Sequence, residues 1–368
     1  MTRRVTRRAA IGRLAAAIGT GVAGACLASS SAADYDRLLE EQSRSLANDP
    51  DAAELVRYAT LAANSHNTQA WRFVAVAQGI DILPDLSRRT PVVDPDDHHL
   101  YASLGCAAEN LSLAACARGR SGEIHFVAGE ERSHLHVALD AAPRRETALC
   151  RAIPARQCTR TTYDRTSVPR DVVARLDAAA RVEGVEPVFV LDAHQRERVL
   201  DLILAGNSAQ LEDPAFVQEL KSWLRFNERD AAASRDGLFS AASGNPQVPG
   251  WLGPMVFDLF ITKEGENAKL AEQVRSSSGL VAFIAPRNDR AGWTAVGRAY
   301  QRFALQATVD GLRHAFVNQA VEVPEMRREL QSLLGTGEGR PSLLLRFGFG
   351  PSMPRSLRRS VHDVLVTS

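Results

Sequence analysis

Net charge is almost absent from this chain: 44 Lys and Arg residues face 43 Asp and Glu, leaving +1 over 368 residues. No whole-chain field is available to gather nucleic acid, an acidic polymer or an anionic membrane. The basic residues that do cluster, at 3–13 and between Arg340 and Arg359, lack the interleaved aromatics that a single-strand binder uses for stacking. Cysteine is scarce as well. Of five, Cys26 lies in the N-terminal segment, and Cys106, Cys116, Cys150 and Cys158 have no CxxC spacing, which excludes a recognisable zinc site or a dense disulfide framework. His98-His99 and His134-x-His136 are adjacent pairs without further acid or thiol ligands at a metal spacing, so they read as surface loop and strand residues and no metal is expected. No side chain stands out as a general acid. What is present, 45% hydrophobic and 24% charged residues, is the composition of a globular fold of one large or two ordinary domains.

The first 33 residues read as a targeting segment. Arg3, Arg4, Arg7, Arg8 and Arg13 form a charged region, and Leu14 to Leu27 is an Ala- and Gly-rich apolar stretch too short to anchor stably across a membrane. Thr6-Arg7-Arg8 resembles a twin-arginine export signal, which predicts a periplasmic protein exported already folded. Ala23-Gly24-Ala25 and Ser30-Ser31-Ala32 are alternative cleavage sites, and lipoprotein anchoring at Cys26 is the weaker option because the aliphatic residue expected three places earlier is missing.

An internal repeat organises the remainder. Residues 104–119, LGCAAENLSLAACARG, align without a gap on 296–311, VGRAYQRFALQATVDG, at an offset of 192. Gly105 matches Gly297, Leu111 matches Phe303, Ala115 matches Ala307 and Gly119 matches Gly311. Apolar residues recur at helical spacing in both copies, and each closes on a glycine suited to a helix C-cap. Strand-like runs precede the copies at 73–77 and 280–284 and follow them at 135–139 and 343–347. The reading is two halves, 34–150 and 151–368, separated near 141–152. The second half carries a helical excursion over roughly 194–230 and a Gly-, Pro- and Ser-rich loop insertion at 231–253.

Three segments carry the chemistry. Asn64-Ser65-His66-Asn67-Thr68-Gln69-Ala70-Trp71 packs hydrogen-bonding side chains between a helix (53–62) and a strand, which is costly unless a polar partner satisfies them. Arg156-Gln157-Cys158-Thr159-Arg160 sets two arginines four apart, on one side of a helical turn, where they can chelate a phosphate. Pro354-Arg355-Ser356-Leu357-Arg358-Arg359 supplies a basic C-terminus. Gly348-Phe349-Gly350-Pro351 follows a strand-like run but opens no helix, which makes it a poor phosphate loop.

The first segment resembles the flavin-contacting loop of the nitroreductase superfamily, in the Ser-His-Asn-Thr-Gln-Pro-Trp form of Acg-type FMN-binding oxidoreductases, with departures at Ala63, Asn64 and Ala70. The resemblance implies an α+β fold, nitroreductase-like, in which two tandem halves with mixed sheets and packed helices form a pseudodimer. It implies FMN as cofactor, with Asn64, Ser65, Asn67 and Gln69 on the ring and ribityl side. Arg156, Gln157, Cys158 and Arg160, with Arg358 and Arg359, would hold the phosphate end, Cys158 standing where the family has Ser or Thr. Asn318-Gln319 falls where the family places a Glu-Gly-like pair beside the flavin N5. Because the polar loop occurs only in the first half and the arginine motifs only in the second, one FMN site per chain is expected. A monomeric pseudodimer then suffices, with a homo-oligomer left open. The function implied is an FMN-dependent oxidoreductase that reduces a small-molecule electron acceptor, a nitroaromatic or quinone, by two electrons, with NAD(P)H a candidate donor. The rival is a flavin-sequestering protein without turnover, motivated by Gln319 beside N5 and by a 231–253 loop able to cover the ring.

Overall fold

A computed structural model describes residues 22–130, 132–285 and 287–366. The arginine-rich start of the segment expected to direct export lies outside these residues. Helix α1 (Val22–Ser43) runs through both candidate cleavage positions, and α2 (Ala52–Thr60) starts at Asp51, whose carboxylate accepts the Glu54 N–H at 2.8 Å. The strands β1 (Trp71–Val76) and β2 (Gly79–Pro84) form a hairpin, then α3 (His98–Ala117) carries the first repeat copy into β3 (Ile124–Val127) and β4 (His134–Ala138). The short α4 (Ala148–Ala152) leads to the second half. There α5 (Arg170–Ala180), β5 (Glu186–Val190), α6 (Ala193–Glu212), α7 (Pro214–Ser222), β6 (Leu224–Arg225), α8 (Glu228–Ser234), β7 (Leu238–Phe239), α9 (Gly253–Phe260) and α10 (Lys263–Arg275) precede the central β8 (Gly279–Ala285). The second repeat copy is α11 (Arg290–Val309). It is followed by β9 (Arg313–Phe316), α12 (Gln319–Glu322), α13 (Pro324–Leu334), β10 (Arg340–Gly348), α14 (Val361–Val364) and β11 (Leu365–Val366). No described helix is long and apolar enough to cross a membrane.

The two principal sheets repeat one topology. The first has the order β11-β1-β2-β4-β3 and the second β5-β8-β10-β9. Position by position, β8 therefore corresponds to β2, and β10 to β4. This corrects the sequence pairing of 73–77 with 280–284, since the central apolar run of the second half matches the second strand of the first hairpin. A further difference concerns strand direction. Only the first sheet is mixed, through the parallel pairing of Phe73 with Leu365, and the four strands of the second are antiparallel. The parallel strand is supplied by the C-terminal arm, and the described residues at the end of the first half contain no equivalent arm. Both repeat helices end as their glycines require, Gly119 at φ +81° and Gly311 at φ +74°.

The helices α3 and α11 cross at the centre of the core, and the crossing is reciprocal. A Cβ on Gly105 would lie 2.0 Å from the Thr294 carbonyl oxygen, and one on Gly297 would lie 1.8 Å from that of Ala102. Thr294 is Ala102 plus the repeat offset of 192, so the two glycines make the same contact from opposite sides of a local two-fold axis. Buried amides continue the seam: Gln301 Nε2 donates to Asn110 Oδ1 at 2.7 Å, and Asn110 Nδ2 to the Tyr58 carbonyl at 3.1 Å. Gln301 Oε1 then accepts the Ala63 N–H at 3.4 Å, which ties the crossing to the start of the polar loop.

After β10 the chain returns over the first half. Gln157 clasps the Met353 backbone through both its amide atoms, Arg355 donates to the carbonyls of Pro154 and Ala155, and the arm ends as the parallel strand β11. The sites where the arm crosses the polar loop and the Arg156 segment are where the predicted residues meet.

Candidate functional site

The polar loop is held in a conformation side chains seldom adopt. His66 (φ 45°), Asn67 (φ 53°) and Gln69 (φ 53°) all occupy the left-handed region. Hydrogen bonds impose this: Asn64 Oδ1 accepts the Gln69 N–H at 2.8 Å, and Asn67 Nδ2 donates to the carbonyls of Gly237 (3.1 Å) and Leu357 (3.0 Å). The amide of Asn67 is thus committed to protein, and its Oδ1 accepts from Arg358 Nη1 at 2.9 Å. Asn67 positions that arginine. Burial and the nearby Arg160 charge push the His66 imidazole down to about 4.

Arg156, Arg160, Arg355 and Arg358 converge on a cleft that also receives Asn64, Asn67, Gln157 and Cys158. Among the described residues none of these four arginines forms an ion pair with a carboxylate. Arg156 Nη2 donates to the Leu61 carbonyl at 2.9 Å, and Arg358 to those of Thr60 (2.8 Å) and Ala62 (3.2 Å), while the buried Arg156 Nε has no partner. Burial, then the Arg156 charge, brings Arg358 down to about 9. Cys158, 4.0 Å from Arg156 Nη1, offsets part of this positive charge, and an anion bound among the arginines would offset more. Residues 156–160 are not the helical turn the sequence suggested. The segment is extended because Cys158 bridges His314 of β9 in parallel and Thr159 N–H donates to the His314 carbonyl at 2.9 Å. Alternation along an extended strand, rather than helical spacing, puts 156, 158 and 160 on the same cleft. Burial raises the Cys158 thiol, but the neighbouring His314 and the Arg156 and Arg160 charges outweigh it and bring it down to about 5.

The cleft adjoins a larger chamber, which shares Asn64, Arg160, Leu238 and Phe316 with it. Ser65, Asn318 and Gln319 line this chamber, together with His66, His99, Tyr300 and Glu322. The chamber wall at Leu238, Ser243 and Asn245 comes from the 231–253 segment. That segment is not an irregular loop: it contains the end of α8 and β7, and is fastened to the polar loop by Asn67 and by Gln69 Nε2 donating to the Arg235 carbonyl at 2.9 Å.

The structure thus brings together ten of the predicted residues along one continuous cavity and leaves two outside. Gln69 is fully buried and accepts the Arg359 N–H at 2.8 Å, while the Arg359 guanidinium reaches the carbonyls of Gln69 and Asp363. Both fasten the C-terminal arm. Arg355 lines the cleft and Arg359 does not. The histidine reading is also corrected: His98 and His99 are buried at the start of α3, not on a surface loop. Asp94 accepts the N–H groups of His99 (3.1 Å) and Leu100 (3.0 Å) and pairs with His98 Nδ1 at 2.9 Å, so this trio caps a helix. Sequence reasoning missed Glu322, for which the available signal was its position three residues after Gln319, one helical turn along.

No family model matches the chain. A protein named NAD(P)H nitroreductase from Mycobacterium tuberculosis H37Rv is 25% identical over 336 residues, 86% of this chain and 92% of that one. A second from the same organism, named NAD(P)H nitroreductase acg, is 23% identical over 331 residues, 84% of this chain and 93% of that one. A crystal structure of an FMN-bound nitroreductase from Desulfitobacterium hafniense overlays 60% of this chain and 98% of its own at 10% identity, with a TM-score of 0.39.

Proposed function

We propose that this chain, similar over most of its length to two mycobacterial proteins named NAD(P)H nitroreductases, is an FMN-dependent oxidoreductase of the nitroreductase superfamily that passes two electrons to a nitroaromatic or quinone. The observation that carries the reading is the convergence of four arginines, none paired with an acid among the described residues, at one end of a cavity whose other end is lined by Ser65, Asn318 and Gln319. Arg156, Arg160, Arg355 and Arg358 fit a phosphate dianion, which their forked donors can chelate. Asn64 lines both spaces and suits the ribityl chain, and the chamber beyond it would take the ring. When bound, the flavin supplies the two-electron redox chemistry. The protein's own residues anchor, orient and desolvate. Asn67 and the arm hold Arg358 in place, and the strained loop fixes Asn64 and Ser65. The names of the two mycobacterial relatives favour NAD(P)H as donor.

The test is the absorbance spectrum of the protein from Asp34 to Ser368, the released cofactor identified by mass, beside an Arg156→Ala/Arg160→Ala variant. A yellow wild type carrying FMN and a colourless variant are expected. A wild type that cannot be loaded with any flavin overturns the reading. Sequestration without turnover is the second reading, favoured by the fastening of the 235–239 wall onto the polar loop. Reduction by NAD(P)H and recovery on adding a quinone would exclude it. We also propose export through the twin-arginine route, on the strength of Arg7-Arg8. Export of a reporter fused to residues 1–33 should stop on Arg7→Lys/Arg8→Lys.

A further inference from the structure

The chamber holds two titratable groups that the anchoring site does not use. Glu322 ends α12, the single helical turn that begins at Gln319, and both residues line the chamber. Gly206 of α6 allows that turn to pack closely, since a Cβ there would lie 2.5 Å from the Gln319 carbonyl oxygen. Glu322 Oε2 accepts from Gln210 Nε2 at 2.6 Å. Its Oε1 is 3.8 Å from His99 Nδ1, beyond hydrogen-bond distance but within a small side-chain movement of it.

The proton on His99 can be placed. Asn318 Oδ1 accepts the Leu344 N–H at 2.8 Å, which orients the amide so that its Nδ2 faces His99 Nε2 at 3.5 Å. An amide nitrogen only donates, so Nε2 is the accepting nitrogen and a neutral ring carries its proton on Nδ1. Burial, then the His98 charge, pushes His99 down to about 3, which keeps that ring neutral. His99 Nδ1 is buried and otherwise without a partner, so its N–H is free to face Glu322. The pair is a carboxyl with one oxygen anchored and the other opposite an N–H that can receive it once ionised.

We propose that Glu322 is the proton donor to the acceptor reduced in this chamber, with His99 as the positioning residue that steadies the carboxylate left behind. This rests on the flavoenzyme reading above. Two electrons and one hydrogen reach the acceptor as a hydride equivalent from the reduced flavin, itself reduced earlier by the nicotinamide donor. The Glu322 O–H bond breaks as its proton passes to the acceptor oxygen. A quinone leaves as hydroquinone, and the carboxylate regains a proton from solvent.

The surroundings suit this task. Asp94, just before α3, and His98 and His99 in its first turn face Glu322, and Arg327 of α13 donates to the neighbouring Val321 carbonyl. Glu266 and Lys269 of α10 line the same chamber. Burial raises the Glu322 carboxyl, the Gln210 bond and the His98 charge lower it and Asp94 raises it again, with a net position of about 7. A carboxyl there is substantially protonated at neutral pH and can still release its proton.

The experiment uses the FMN-loaded protein with Glu322→Gln and His99→Leu variants. Infrared titration should reveal a carboxylic-acid band that ionises near pH 7, is missing from Glu322→Gln and moves to higher pH in His99→Leu. Reoxidation of the reduced enzyme by a quinone should slow by about 100-fold in Glu322→Gln and lose its pH dependence. Reoxidation by ferricyanide, which takes electrons without a proton, should be unchanged. A band that titrates below pH 5, or a Glu322→Gln variant that matches wild type with quinone, overturns the role of Glu322 while leaving the flavoenzyme intact. A protein that takes no FMN removes both readings together.

Discussion

Arg358→Ala isolates the contribution of one guanidinium to anion binding, because the adjacent Arg359 is an internal control. Arg358 lines the arginine cleft and is held by Asn67, Thr60 and Ala62, whereas Arg359 points to the carbonyls of Gln69 and Asp363. The quantity to compare is the FMN-induced rise in Tm, which discounts any loss of stability in the free protein. At an FMN concentration about 100 times Kd the bound state gains about 2.7 kcal/mol. With an unfolding entropy of about 2.1 cal/mol/K per residue over roughly 335 residues, that is a rise of about 4 °C. A hydrogen bond to a charged group contributes about 1.5–3 kcal/mol. Losing about 2.7 kcal/mol raises Kd about 100-fold, so the same FMN concentration then gives only about 0.4 kcal/mol, a rise below about 1 °C. Arg359→Ala should keep the full shift. Differential scanning fluorimetry with and without FMN measures all three proteins. A full shift in Arg358→Ala, or an equal loss in Arg359→Ala, refutes the assignment.

The Cys158 thiol, brought down to about 5, is mostly thiolate from about pH 6 upward, so iodoacetamide should label it at neutral pH and FMN should protect it. Peptide mass spectrometry decides this, and labelling that begins only above about pH 8 would contradict the His314 and arginine influence. Cys106, which burial pushes well above the ordinary thiol value, should stay unmodified in the folded protein. Gly105→Ala and Gly297→Ala each place a methyl against an opposing carbonyl oxygen, and each should destabilise by about 3 kcal/mol or more. Urea unfolding that finds either variant within about 1 kcal/mol of wild type would mean the helices are not in contact there.

Legibility in the sequence followed the range of the signal. The repeat helices were readable because apolar spacing and a closing glycine are local properties, and each helix starts six residues before its matched segment, at His98 against 104 and at Arg290 against 296. Pairing the flanking strands failed for β8 because hydrophobicity alone does not say which strand of a hairpin a run occupies. That requires the sheet order. Asn64, Ser65, Asn318 and Gln319 were placed by motif, and the structure sets them along the cavity. Gln69 and Arg359 fit the same motifs, but their partners are backbone groups far away in sequence, a competition that no local pattern registers. Glu322 could not be recognised because its character comes from burial and from Gln210, more than a hundred residues earlier.

The local two-fold axis also explains why one half of each motif suffices. A symmetric molecule would repeat the chamber on the other side of the α3–α11 crossing, at positions shifted by 192. His99, Ser103 and Cys106 on α3 line the chamber, and their counterparts on α11 are Ala291, Ala295 and Arg298. These three do line a cavity together, bounded by Arg181, Arg287 and Arg302, so the symmetric depression persists. Its chemistry does not. Arg298 and Arg302 are both spent on Glu109, at 3.1 and 2.8 Å, and no counterpart of the strained polar loop reaches it. The paired charges leave little positive charge for an anion there, whereas the four arginines at the other end meet no carboxylate among the described residues. The fold keeps the symmetry that packing requires at Gly105 and Gly297 and drops it wherever only ligand binding would have preserved it.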